Sequence, residues 1–168
     1  VGGGGQSNVH AVAVNVVQQN IVNNEQRRIN IANQIRYVFQ SDEMGLEAGN
    51  VVLREAALFI GHLARIASTV EMIDYLKTFY YPIAINMLTK ENNHFPNLGG
   101  CLILKELAYN GPTMIYGKKK QIFLALTDAI FSKHHIVRDA ASESLETFLL
   151  LVSQRESILD WYSSSLKL

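Results

Sequence analysis

Two adjacent histidines, His134 and His135, open the stretch HHIVRDAASESLETFLLLVSQRES, and imidazoles followed by carboxylates are the raw material of a metal or acid/base site. The spacing argues against that use. Neighbours on a helix point about 100° apart, so the two rings cannot close on one ion as an i, i+4 pair does. They are read instead as a turn ahead of a helix whose first turn takes Asp139 at its positive end. Asp139, Glu143 and Glu146 then form a solvated face. The run Lys118, Lys119, Lys120 has no interleaved aromatics of the kind that bind single-stranded nucleic acid, and it reads as an exposed helix start. VGGGG at residues 1–5 lacks the strand and helix that a phosphate loop needs. The aromatics of TFYYP, Thr78 to Pro82, read as packing, and His62 as a surface residue. Cys101 is the one cysteine; alone it makes neither an internal disulfide nor a multi-cysteine metal cluster, and it reads as an inert core thiol. No catalytic, cofactor-binding or metal-ligating set is expected in this segment, and no small-molecule ligand.

The composition bounds the elements that would carry any site. Of 168 residues, 48% are hydrophobic and 18% charged, enough apolar surface for one sizeable core. Fifteen Lys and Arg balance fifteen Asp and Glu, so no net field draws in nucleic acid or an anionic membrane. Even the apolar start VHAVAVNVVQQNIV is broken by His10, Asn15 and Gln18 to Asn20, short of the ~18 residues of a transmembrane segment. Residues 1–8 carry no basic or apolar signal-peptide pattern and are expected to be a flexible linker. With one cysteine and no such signal, a soluble cytoplasmic protein is expected. The ends, VGGGG and DWYSSSLKL, are read as those of a fragment of a much larger chain.

Punctuation recurs at QSDEMGLEAGN (40–50), ENNHFPNLG (91–99), NGP (110–112) and SKHH (132–135). Helical patterns lie between. In INIANQIRYVF, apolar Ile31, Ala32, Ile35, Val38 and Phe39 share one stripe. VEMIDYLKTFYYPIAINML and MIYGKKKQIFLALTDAIF read alike, with Pro82 expected to kink the first or shift its start. No hairpin signal occurs, and the chain is expected to be all-α.

Aligning VVLREAALFIGHLA, FPNLGGCLILKELA and IVRDAASESLETFL gives one frame: a small residue, then apolar residues four and seven later. The positions are Ala56, Ile60 and Leu63; Gly100, Leu104 and Leu107; and Ala141, Leu145 and Phe148. Ala56 and Gly100 are 44 residues apart, Gly100 and Ala141 are 41 apart, and HEAT and armadillo helix pairs repeat every ~40–47 residues. A fainter copy sets His10 ahead of Val14 and Val17. Positions 0, +4 and +7 share a helical face, and a small side chain at 0 admits a partner helix closely. The expected architecture is an α-α superhelix, a HEAT/armadillo-like solenoid of about three and a half helix pairs. It covers residues 9–168, with pairs near 9–22, 26–66, 71–109 and 113–153 and then the start of a further helix.

Counting 100° per residue from that inward frame sends Arg54, Leu58, His62 and Arg65 to the opposite side of their helix. Leu98, Leu102, Glu106 and Tyr109 take that side of the next, and Asp139, Glu143, Thr147 and Leu150 that of the third. Stacked second helices line the concave surface of a solenoid. The candidate partner-binding residues are therefore Arg54, Leu58, His62, Arg65, Leu102, Glu106, Tyr109 and Glu143; alternatively, the leucines pack between adjacent second helices.

A more specific likeness lies in GGCLILKELAYNGPT followed by VRDAASESLETFLLLVSQRE. Leu104 to Ala108, the Pro112–Thr113 turn, Arg138 to Ala141 and Gln154 to Glu156 come in that order. This succession resembles the N-terminal HEAT repeats of the target of rapamycin kinase family, in which a Leu-Arg-Glu-Leu-Ala type sequence precedes a Pro-Thr turn. The family's next repeat has an Arg-Glu-x-Ala start and a Gln-Arg-Glu end. VVLREAALFIGHLA is similar to the repeat before, so the likeness spans about residues 25–160. Gly99 and Gly100 depart from it, standing where alanine or bulkier residues are common. The resemblance implies a non-catalytic scaffold segment of a large serine/threonine kinase of the phosphatidylinositol 3-kinase-related class. The catalytic domain would lie downstream, the role would be in growth and nutrient signalling, and raptor- or rictor-like regulatory subunits would be the protein partners. The parent would be cytoplasmic and associated with endomembranes. A HEAT or armadillo adaptor of another kind, a transport receptor or a phosphatase scaffold, fits the same frame.

Overall fold

The computed structural model describes residues 5–40, 46–89 and 93–165, and side chains over 14–39, 50–89 and 93–157. The described residues are all-helical. In chain order they form α1 (Gly5–Gln40), α2 (Leu46–Ile66), α3 (Val70–Tyr75), a π turn (Leu76–Tyr80), α4 (Tyr81–Leu88), α5 (His94–Asn110), α6 (Pro112–Ile115), a 3-10 turn (Tyr116–Lys118), α7 (Lys119–Ile130) and α8 (His135–Ser165).

Local chemistry sets several of these boundaries. Thr69, extended at the N-cap of α3, accepts the Met72 N–H on its hydroxyl, and Glu71 follows in the first turn. At the end of α5 the Gly111 N–H bonds the Leu107 carbonyl, and Pro112 opens α6 where a missing N–H costs nothing. Between α7 and α8, the Arg138 guanidinium donates to the carbonyls of Ser132 and Lys133 at 2.9 and 3.0 Å. His134 lies in that turn and His135 starts α8. The punctuation at 41–45 and 90–92 lies outside the described residues.

Pro82, expected to kink its helix or shift the start, stands in the first turn of α4. It has no N–H to offer the Thr78 carbonyl, and the backbone widens just before it: the Tyr81 N–H reaches back five residues to the Leu76 carbonyl. This π turn takes in one extra residue, and α4 follows directly.

Packing centres on α5. It lies against α2 on one side, α8 on the other and α4 across a third, while α7 packs on α8 and α1 on α2. The frame residues Ala56, Ile60, Leu63, Gly100, Leu104, Leu107, Ala141 and Phe148 are buried, and Leu145 is half-buried against the same core. Gly100 marks the closest approach, since a Cβ there would stand 2.7 Å from the Ala84 carbonyl oxygen of α4.

Polar ties then connect elements far apart in sequence. The Tyr80 hydroxyl donates to the Ala32 carbonyl and the Thr69 hydroxyl to the Glu25 carboxylate. Tyr75 donates to Asn33 at 2.9 Å, so α3 and the π turn are fastened to α1. Tyr81 donates to Gln121 of α7 at 2.7 Å, and Ser144 of α8 to the Cys101 carbonyl of α5 at 2.7 Å. Burial pushes the Cys101 thiol up to about 12, which keeps it protonated and inert.

Three differences from the sequence expectations concern the ends. No glycine or proline occurs from residue 6 to 40, so α1 runs unbroken where a separate 9–22 helix was expected, and it begins at Gly5, inside the expected 1–8 linker. Its residues 14–24 are exposed; Val14 and Val17, 46% and 57% exposed, do not bury as the fainter repeat requires, because no described element covers them. The side chain of His10 lies outside the described ones. Residues 154–165 continue α8 and do not begin a further helix, again for want of a breaker.

Candidate functional site

The outward sides of α2, α5 and α8 enclose a groove of about 440 Å³. Leu58, His62 and Arg65 of α2 form one wall, Lys105, Glu106, Tyr109 and Asn110 of α5 the floor, and Thr147 of α8 the far side. Gly61 makes the floor reachable: a Cβ at that position would stand 2.2 Å from Glu106 Oε2, so only glycine lets this carboxylate lie across α2.

Each charged group in and around the groove has a distinct environment. The Asn110 amide donates to Glu106 Oε2 at 2.9 Å and to the Glu106 carbonyl at 3.2 Å. Partial burial raises the Glu106 carboxyl above the usual range, while the neighbouring Lys105 charge and the Asn110 hydrogen bond pull it back. Lys105 Nζ instead donates across to Glu143 of α8 at 2.8 Å. That bond, with the charges of Lys105 and Arg54, holds Glu143 below its usual value. The Arg65 guanidinium lies 3.0 Å from His62 Nδ1; arginine only donates, so this ring nitrogen accepts and carries no proton. Arg54 donates to Asn50 at 3.1 Å. Leu58 and Tyr109 remain 52% and 78% exposed, an uncovered aliphatic and an uncovered aromatic surface at the edge of the polar floor.

Five of the eight candidate residues, Leu58, His62, Arg65, Glu106 and Tyr109, line this groove. Arg54 is half-buried nearby on α2, and Glu143 is exposed and tied to Lys105. Leu102 is different. At 5% exposure it belongs to the core, together with Leu98. Around LGGCLIL, α5 is apolar on every side because α2, α4 and α8 enclose it, and a helix hydrophobic all round is a buried one. Lys105, Asn110 and Thr147 were missing from the candidates. Lys105 is drawn in by an ion pair to Glu143 that spans 38 residues, a partner no local spacing reveals.

The other residues singled out by type are spread over the surface. The His94 and His134 rings lie 4.6 Å apart between centroids, tilted by 33°. Burial, then the nearby His134, lowers His94 below the usual imidazole value. His135 is exposed. Among the described residues no group of three or more His, Cys, Asp or Glu could hold a metal ion. Lys119 pairs with Glu156 at 2.8 Å and lies over the Tyr116 ring, which Arg155 also approaches; Lys118 and Lys120 are exposed. Among the described residues no helix is long and apolar enough to cross a membrane.

No family model, no curated protein and no solved structure matches this chain.

Proposed function

We propose that the chain is a HEAT-like α-solenoid segment that works as a non-catalytic scaffold for protein-protein interaction, within a kinase of the target of rapamycin type. One observation carries the scaffold reading. Helices α2, α5 and α8 lie side by side in that order, and their outward sides present a groove edged by exposed Leu58 and Tyr109. A surface that runs across several adjacent helices supports this reading, since stacked helix pairs offer such a surface to a partner. The kinase assignment rests on the succession of LKELA, Pro-Thr, RDAA and QRE alone.

The scaffold reading is tested by mixing the purified chain with a raptor-like subunit and following co-elution in size exclusion. Wild type should co-elute, and Leu58→Glu should not, with its melting midpoint unchanged. Failure of the wild type to bind overturns that partner. A downstream sequence without a kinase domain, with binding retained, favours an adaptor of another kind.

A further inference from the structure

We propose that the groove between α2, α5 and α8 receives an acidic segment of a partner protein, one that brings a leucine or phenylalanine beside a carboxylate. The inference rests on the scaffold reading and names the chemistry of what the scaffold holds.

Charge around the groove is unevenly neutralised. Among the described residues the ion pairs are Lys105–Glu143 and Lys119–Glu156. Among the described residues Arg65, on the groove wall, is met only by an imidazole nitrogen, while Arg54 nearby donates to an amide oxygen and shares the field of Glu143. Neither guanidinium is in an ion pair among the described residues, and most of the Arg65 donors face no acceptor there. The acid on the floor, Glu106, is committed to Asn110 and half-buried, so it does not reach out to balance them. A planar guanidinium takes a carboxylate in a two-pronged, charge-assisted pair, which a neutral ligand cannot offer. Next to Arg65 the exposed Leu58 and Tyr109 gain most from a partner's apolar side chain, and an aromatic or aliphatic anchor ringed by polar contacts is the usual centre of a binding site. An arginine-bearing segment seated on Glu106 and stacked on Tyr109 is the competing occupant, and it would have to enter past Arg65, Lys105 and Arg54.

Panning a random dodecapeptide phage library on the immobilised chain, with subtraction on bare support, tests this. Enriched peptides should carry Asp or Glu adjacent to Leu or Phe. A fluorescein-labelled synthetic copy should bind the chain by anisotropy and weaken with added salt. Arg65→Glu and Leu58→Glu should each weaken it about tenfold or more, whereas Glu106→Gln, which removes the acid from the floor, should tighten it. Arg65→Ala serves as a milder second variant, and circular dichroism and the melting midpoint verify that every variant folds. Enrichment of basic peptides that Glu106→Gln abolishes would overturn the acidic occupant in favour of the arginine-bearing one. Affinity indifferent to Arg65 and Leu58, or no enrichment over bare support, would overturn the proposal outright. Because co-elution with the raptor-like subunit is measured separately, these results can fail while the scaffold reading stands.

Discussion

A methyl added at Gly100 would stand 2.7 Å from a backbone oxygen of α4, and one added at Gly61 would stand 2.2 Å from the tip of Glu106. The second distance is shorter but cheaper to relieve, because a flexible carboxylate can swing away where a helix backbone cannot. Alanine also gains about 1 kcal/mol over glycine within a helix. Gly100→Ala is therefore expected to cost about 1–3 kcal/mol net. Gly61→Ala is expected to stay within about 1 kcal/mol of wild type while expelling Glu106 into solvent; urea denaturation separates the two. Glu106 itself gives a pH signature. Its folded carboxyl titrates above the ordinary 4.5 chiefly because of burial, so the folded state resists its ionisation and stability falls as pH rises through and above that value. Glu106→Gln should raise the melting midpoint at pH 7 and leave it unchanged near pH 3, where the wild-type carboxyl is protonated in both states. Residue types alone pointed to the outward position of Leu58, His62, Arg65 and Tyr109, because a count of 100° per residue suffices on a helix covered from one side. For Leu98 and Leu102 the alternative holds, that the leucines pack between helices; the count alone could not decide this, since it takes no account of the three neighbours around α5.

The helix frame was legible for a physical reason: a small residue followed by apolar ones at +4 and +7 is what close packing of two helices demands, and Ala56, Gly100 and Ala141 all lie buried where it predicts. Helix ends were legible where glycine, proline or a cap marks them, as at Gly111 and Pro112. The π turn was not: Pro82 marks a disturbed turn, but how the backbone adjusts there also depends on tertiary anchors. Tyr80 is held by the Ala32 carbonyl of α1 and its neighbour Tyr81 by Gln121 of α7, so successive residues are anchored to elements on different sides. An extra residue in the turn accommodates both anchors. These anchors should contribute unequally. Tyr81→Phe removes a 2.7 Å bond to an exposed glutamine that water can replace, and about 0.5–1.5 kcal/mol is expected. Tyr80→Phe takes from the buried Ala32 carbonyl the bond it accepts beside its own helical one, where no exposed surface lets water replace it, and a cost at the upper end of that range, about 1–1.5 kcal/mol, is expected. Chemical denaturation of the two single mutants and the double mutant measures both values and their coupling.

Across the whole molecule, support is distributed asymmetrically about α5. Toward the start of the chain, residues 14–24 of α1 are exposed, and among the described side chains the first buried one is Glu25, which accepts the Thr69 hydroxyl. At the other end, α8 covers α5 and α7 together, inserting Ala141 and Phe148 into the core and donating Ser144 to the Cys101 carbonyl. Two deletions should therefore behave in opposite ways. Removing residues 1–22 takes away, among the described side chains, only exposed ones and keeps the Glu25 contact, so the melting midpoint should move by no more than about 2 °C. Removing everything after Ile130 uncovers Leu104 and Leu107 of α5 with Ile122 and Leu126 of α7, all at or below 1% exposure in the intact fold. If, as proposed, each helix pair is stabilised mainly by its neighbour, that loss cannot stay local. The fragment 1–130 should be poorly soluble, bind a hydrophobic dye and lose its cooperative melting transition. A soluble 1–130 fragment with the wild-type midpoint would mean that α5 does not depend on α8, and the proposed succession of mutually supporting pairs would have to be abandoned.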